Sequence, residues 1–335
     1  MKIAIVGAGL VGRVLALNLL KKGHKITLYD KDEAYGEEPA GITAAGMLAL
    51  FAELESADSV IFQRGKRSIE LWVGLLEDLG ISEAYQQIGS IITAHPQDHT
   101  ELDHFIGALK SKVKEADEIR ELNHQEILEL EPDLNQHQKA FHIPHEGQVN
   151  AQMFMKRTSD FLLDHPDVTW HEKREIEDPK SLKDDFDFVF DSRGMGADVD
   201  IKDLRGVRGE VYWLESDEVN ISRPTRMLHP RYKIYIVPRP DNLYIIGATE
   251  IESEDKSQVS VRSTLEMMSA VFSMHSGFGE ARIVKTVTNL RPTLNDNLPK
   301  IYYEDKLIRI NGLYRHGYLM APSVVEEALK EGGFL

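Results

Sequence analysis

Four apolar residues follow Lys2 without alternation in "KIAIV" (Lys2–Val6), the pattern of a strand buried on both faces. After "GAGLVG" (residues 7–12), the stretch "RVLALNLLKKG" (13–23) places apolar residues at helical spacing and stops at Gly23. "KITLYD" (25–30) then predicts a second strand ending at Asp30. Farther along, "FDFVF" (186–190), "GEVYWL" (209–214), "KIYIVP" (233–238) and "NLYIIGA" (242–248) read as strands, the later ones without long helices between them. "VRSTLEMMSAVFSMH" (261–275) has helical periodicity and predicts a helix packed on that sheet. No internal repeat, low-complexity tract or Pro/Gly-rich linker interrupts the pattern, and no run of eighteen apolar residues predicts a membrane span.

The strand–glycine–helix–strand order gives Gly7, Gly9 and Gly12 defined tasks. They supply a tight turn, a close approach of backbone to a pyrophosphate, and close helix–strand packing. Leu10 and Val11 lie between them, in the turn ahead of the helix whose free N–H groups would face the phosphates. Asp30, followed by Lys31, stands eighteen residues past Gly12 and would accept hydrogen bonds from a ribose, which argues for a dinucleotide without a 2′-phosphate. The fingerprint alone leaves NAD and FAD open. "PAGITAAGMLALFAELE" (39–55) favours FAD, because small residues at Ala44, Ala45 and Gly46 let backbone lie against a flat, bulky ligand.

Composition narrows the function. The 335 residues suggest two domains, and 42% hydrophobic with 28% charged residues is ordinary for a globular chain. A net charge of −16 repels phosphate backbones and excludes nucleic acid as an expected partner in the absence of a basic patch. The lack of cysteine excludes disulfides, thiolate metal sites and a cysteinyl link to a cofactor, and fits the cytosol. The opening residues imitate a signal peptide, but Arg13 breaks the apolar run. His95, His99 and His104, or His137, His142 and His145, lack a metal-ligand spacing and read as solvated loop residues.

Six blocks in order resemble the D-amino-acid oxidase superfamily of flavoproteins, and within it the glycine oxidase branch of thiamine biosynthesis. They are "VGAGLVG", "AAGMLALFAE", "HEGQVNAQMF" (145–154), "YIVPR" (235–239) with "IIGATE" (245–250), "NLRPTLNDNLPKI" (289–301) and "NGLYRHGYLMAP" (311–322). The resemblance implies an α/β, Rossmann-like FAD-binding domain made of residues 1–85, 145–205 and 285–335. It also implies a mostly antiparallel substrate domain made of residues 86–144 and 206–284. By the same resemblance Arg291 binds the substrate carboxylate with help from the Tyr235 hydroxyl, and Met47 packs against flavin or substrate. Tyr314, Arg315, His316, Gly317, Tyr318 and Leu319 would cap the pyrimidine side of the flavin, where reduced flavin carries negative charge; Arg315 is also within expected reach of the substrate. Gly194 would supply backbone freedom beside FAD.

Two departures stand out. Glu250 occupies the place of an apolar pocket residue, and is open to binding a substrate ammonium, reaching a cationic side chain, or facing solvent. Arg193 is an addition in "FDSRGMGA" (190–197). The reading is an FAD-dependent oxidase of a small amino acid or amine. It would remove a Cα hydrogen as hydride to flavin while the amine is neutral, and pass the electrons to O2 to give H2O2. In thiamine biosynthesis the imine of glycine would feed a thiazole synthase, a functional partner. The cytoplasm is the expected location, and the oligomeric state is left open. The alternatives are an amino-acid dehydrogenase using a non-oxygen acceptor, the oxidase module of a tRNA-modifying enzyme, and a cofactor-binding regulator without turnover.

Overall fold

The computed structural model describes residues 1–51, 54, 59–228 and 234–335. Ala52, Glu53 and Glu55 of the small-residue segment and Lys233 of an expected strand lie outside the described residues.

The apolar run at the front forms the strand Lys2–Val6 at the heart of a six-stranded sheet. Its neighbours are Lys25–Tyr29 on one side and Phe188–Asp191 on the other, both parallel to it. Val168–His171 and Leu307–Asn311 extend the parallel array, and Lys300–Glu304 closes one edge antiparallel. Burial on both faces explains the unbroken Ile and Val runs. The helix Leu10–Lys21 starts three residues earlier than expected, directly after Gly9, because Leu10 and Val11 form its first turn. The segment expected as a strand over 186–190 forms its strand at Phe188–Asp191, within this parallel sheet.

A second sheet has eight strands, ordered Arg282–Thr293, Arg205–Glu215, Leu243–Gly247, Ile234–Arg239, Thr225–Leu228, Ser90–Ala94, Lys139–Ile143 and Arg120–Asn123. Every neighbouring pair is antiparallel except Thr225–Leu228 with Ser90–Ala94. The helix Val261–Met274 packs on it, with Met267, Ala270, Val271 and Met274 buried in the same core as Ile236 and Ile246. The edge strand Arg282–Thr293 runs across the domain boundary expected at residue 285, so Arg291 stands on the substrate sheet. Eleven of its twelve residues pair along the long strand Arg205–Glu215, with one bulge at Val284, and the pairing continues through residue 285 to Thr293 within the same sheet.

Between the sheets, Met47–Leu48 and Tyr85–Gln86 flank Gly147–Val149 in a short three-stranded sheet. The C-terminal helix Gly317–Glu331 lies against the helices Ser59–Asp78 and Leu10–Lys21. Trp72, fully buried, donates its indole N–H to the carbonyl of Tyr318 at 2.7 Å and pins the start of that helix.

Candidate active site

The glycine turn is built for close contact. Gly7 has φ +96°, and a β-carbon there would lie 2.6 Å from the Ser192 carbonyl oxygen. A β-carbon on Gly12 would come 1.9 Å from the Gly7 carbonyl oxygen, so only glycine lets the helix pass this close to the first strand. Gly9 differs. A β-carbon on it would meet no protein atom within 4 Å, and the residue lines a cavity of about 1000 Å³.

Asp30 lines that cavity at the end of the second strand. Its carboxylate accepts a hydrogen bond from the Ala8 amide and another from the Asp32 amide at 2.9 Å, tying the glycine turn to the strand end. A carboxylate has about four acceptor positions, so capacity for a ribose hydroxyl remains. Arg13, which looked like an interruption of the apolar run, is buried and organises this corner. It donates to the carbonyls of Ala8 at 2.8 Å, Ala34 at 2.8 Å and Met155 at 2.7 Å, and to the hydroxyls of Thr158 and Ser159. Burial lowers its pKa to about 10.

The small-residue segment approaches from the opposite side. Gly46 has φ +65°, and a β-carbon would lie 2.0 Å from the Val149 carbonyl oxygen, while the Val149 amide donates to Gly46 at 2.8 Å. Ala44, Ala45 and Met47 line the cavity on either side of it. The Arg239 guanidinium, unforeseen from sequence, holds this segment by donating to the Ala45 carbonyl at 2.6 Å. Met47 packs in an apolar group with Ala45, Val211 and Tyr235.

Gly194, with φ +58°, is held by the Asn311 side chain, which donates to its carbonyl at 2.9 Å. The preceding Arg193 is an internal clamp. Its guanidinium binds both oxygens of Asp191 at 2.9 Å and also reaches Asp200, and Arg309 joins Asp191 at 3.1 Å. A buried carboxylate shared by two guanidiniums is costly to break, which fixes the turn leading into Gly194.

The capping turn carries Tyr314 at φ +52°, an uncommon conformation for a bulky residue. Its hydroxyl donates to Glu250, whose other oxygen accepts from Arg315 Nη1 at 3.0 Å. Of the three roles open to Glu250, the structure shows contact with a cationic side chain. Tyr314, Arg315, His316 and Gly317 all line the cavity ahead of the helix N-terminus. Tyr318 and Leu319, at the start of the helix, also line the cavity. Their side chains are mostly buried: the Tyr318 ring stacks on Trp72 with centroids 5.6 Å apart, and its hydroxyl donates to the Gly41 carbonyl at 3.1 Å.

Arg291 also lines the cavity and lies over Gly209, where a β-carbon would be 2.5 Å from its guanidinium carbon. Its hydrogen bond to the Arg208 carbonyl is long, 3.4 Å, and among the described residues no carboxylate pairs with it. Tyr235 lies over Gly247 in the same way, with a β-carbon there 2.2 Å from its hydroxyl oxygen. Burial pushes the Tyr235 hydroxyl pKa up, and the nearby Arg291 charge opposes that shift.

The histidines take other positions. His137 is buried, contrary to a solvated loop, with Nε2 2.9 Å from the Met274 carbonyl, while His145 pairs with Glu118 at 2.8 Å. Among the described residues no group of three His, Cys, Asp or Glu could hold a metal ion, and no helix is long and apolar enough to cross a membrane.

One cavity of about 1000 Å³ joins the glycine turn, Gly46, Gly194, the capping turn, Tyr235 and Arg291. That is the top of the usual range of about 300–1,000 Å³ for ligand sites. The open face of Gly9, the helix N-terminus behind it and the small side chains opposite fit an extended dinucleotide with a flat ring system.

Comparisons with known proteins agree. A Rhizobium etli protein provisionally named thiamine biosynthesis oxidoreductase ThiO is 34% identical over 331 residues, 98% of this chain and 96% of that protein. Glycine oxidase of Geobacillus kaustophilus is 25% identical over 351 residues, 96% of this chain and 89% of that enzyme. The crystal structure of glycine oxidase from Bacillus cereus superposes with a TM-score of 0.84 over 99% of this chain and 97% of that one, at 23% identity, a likeness of fold. Residues 2–328 match the DAO family of FAD dependent oxidoreductases, and the chain belongs to that family.

Proposed function

We propose that this flavoprotein oxidises the amine of a small amino acid, glycine or a related amine, to the imine and so to the 2-oxo acid. The observation that carries the reading is Arg291, a guanidinium without a carboxylate partner among the described residues, beside Tyr235 in the cavity that contains the glycine turn. A planar fork with open donors suits a substrate carboxylate. The provisional name of the Rhizobium etli relative and the activity of the Geobacillus kaustophilus enzyme support the same direction.

In this reading Gly7, Gly9, Gly12, Asp30, Ala44 to Met47, Gly194 and the capping turn would hold FAD, which would supply two-electron redox chemistry, with O2 as the final acceptor and H2O2 as its product. The protein's share is geometric. Arg291 fixes the carboxylate, and Tyr235, kept protonated by burial, donates a second hydrogen bond. Met47 and Val211 keep the amine and Cα in an apolar setting that excludes water. The substrate loses a hydride from Cα and a proton from nitrogen, forming C=N, and water then releases ammonia. A place in thiazole formation for thiamine, with a thiazole synthase as functional partner in the cytoplasm, follows from the relative's name and the family resemblance. The domain division follows the two sheets, with the substrate unit extended to include residues 285–293.

The test is optical. The purified protein should be yellow, and glycine or a related amine added anaerobically should bleach it, with colour and H2O2 returning on admission of air. A yellow protein that no amino acid or amine bleaches would overturn the oxidase reading.

A further inference from the structure

Besides Arg291, the cavity is lined by the guanidinium of Arg226. Arg226 lies on the strand Thr225–Leu228, directly opposite Tyr235 in the register of neighbouring strands. Paired residues on antiparallel strands point to the same face, so Arg226 and Tyr235 stand side by side over the same cavity. Beyond Arg226 that face is apolar, with Ile92 in register on the next strand and Phe105 and Leu228 completing a lobe.

Arg226 is only 9% exposed. Its Nη2 donates to the buried Glu146 carboxylate at 2.6 Å, while its Nε is buried with no acceptor. Glu146 does not depend on Arg226 alone, since it also accepts from the Phe51 amide at 2.9 Å and the Ser90 hydroxyl at 2.5 Å. Arg226 nonetheless lines the cavity, and a guanidinium with five donors bound to a single carboxylate has capacity for a second anionic partner. Arg239, on the neighbouring strand, likewise has a buried Nε without an acceptor, but both of its terminal nitrogens are used, donating to the carbonyls of Ala45 and Pro238 and to Gln148.

We propose that Arg226 receives a second acidic group of the substrate, so that the enzyme prefers amino or imino acids with two carboxylates. The inference rests on the reading that Arg291 and Tyr235 hold the first carboxylate. Opposed residues on antiparallel strands lie about 4.5–5.5 Å apart at Cα. A second carboxylate two to four bonds from the first therefore reaches from Tyr235 to Arg226. Aspartate, glutamate and iminodiacetate have this span, whereas glycine leaves the lobe empty.

The experiment uses the FAD-loaded enzyme and shape-matched pairs. Both enantiomers of glutamate are compared with glutamine, aspartate with asparagine, and iminodiacetate with N-methylglycine. In parallel, glutarate and its monoamide are titrated against the visible spectrum of the bound flavin, a binding measurement without turnover. The diacid should exceed its partner by roughly 10- to 100-fold in kcat/KM and in affinity, the range of a hydrogen bond to a charged group. Arg226→Gln should bring both ratios close to one. If Arg226→Gln does not fold, Arg226→Met combined with Glu146→Gln removes both charges together and should give the same collapse. A wild-type enzyme indifferent to the second carboxylate, or ratios unchanged by substitution, overturns the proposal. A glutarate preference that depends on Arg226, with no amine oxidised, would uphold the anion site and sink the oxidase reading alone.

Discussion

The guanidinium of Arg291 occupies the space that a side chain on Gly209 would need: a β-carbon there would sit 2.5 Å from Arg291 Cζ. The two residues lie on adjacent strands, with Gly209 opposite Asn289 and Arg291 opposite Val207, so the arginine reaches back across the strand to cover the glycine. Gly209→Ala should therefore displace the guanidinium while leaving its charge in place. A shift of about 1 Å in a positioning group costs up to roughly 10²-fold in activity. Arg291→Ala should cost more, about 3–5 kcal/mol for one partner of a buried charged pair, or roughly 10²- to 10⁴-fold in kcat/KM. Tyr235→Phe removes one neutral donor and should cost about 1 kcal/mol. An amine without a carboxylate is the control. If Arg291→Ala slows it as much as the amino acid, Arg291 supports the fold or the flavin instead.

Gly9 and Gly12 should respond differently to the same added methyl group. Gly9 has φ −70° and ψ −163°, a conformation open to any residue, and no protein atom stands in the way of its β-carbon. Gly9→Ala should leave the thermal midpoint of FAD-free protein unchanged but crowd the cofactor. Overpacking of about 1–3 kcal/mol corresponds to roughly 5- to 150-fold in FAD affinity. Gly12→Ala would put carbon 1.9 Å from the Gly7 oxygen, so here the FAD-free fold itself should weaken. Equal losses of FAD-free stability in the two variants would contradict a ligand-facing Gly9.

Glu250 holds the capping turn through Tyr314 and Arg315. Its side chain is half exposed, so its ion pair contributes about 0.2–1 kcal/mol. Glu250→Ala should loosen FAD slightly and slow every substrate by a similar factor of roughly two to five. Stopped-flow reduction with several amino acids distinguishes the cases, because a reordered substrate ranking would place this carboxylate against the substrate.

His137 links stability to acid. Burial lowers its pKa below the ordinary value of 6.5, with a backbone hydrogen bond to Met274 opposing the shift. Below about pH 6.5 the unfolded chain binds a proton that the folded chain resists, so stability is full above that pH and declines as pH falls toward the folded value. Urea midpoints between pH 7.5 and 5 should fall less steeply in His137→Gln than in wild type. Identical slopes would assign the acid sensitivity to other groups.

The sequence by itself determined the dinucleotide turn, since Gly7, Gly9, Gly12 and Asp30 act within a single local strand–helix–strand unit whose spacing is readable along the chain. It also determined the helix Val261–Met274 and six of the strands, because burial on one or both faces imposes periodicities of 3.6 or two residues, or unbroken apolar runs. Only the tertiary structure decided what the charged residues in apolar surroundings do. Arg13, Arg193 and Glu250 looked like interruptions or departures; their partners Met155, Asp200 and Arg315 lie on other turns or segments, and pairing of that kind has no local signature. Tyr318 and Leu319 line the cavity at the start of the helix, but that the Tyr318 ring would stack on Trp72 depended on which helices pack together. Strand register brought Arg226 beside Tyr235 and laid Arg291 over Gly209, and register depends on which strands pair, a choice made by the packing of the whole sheet.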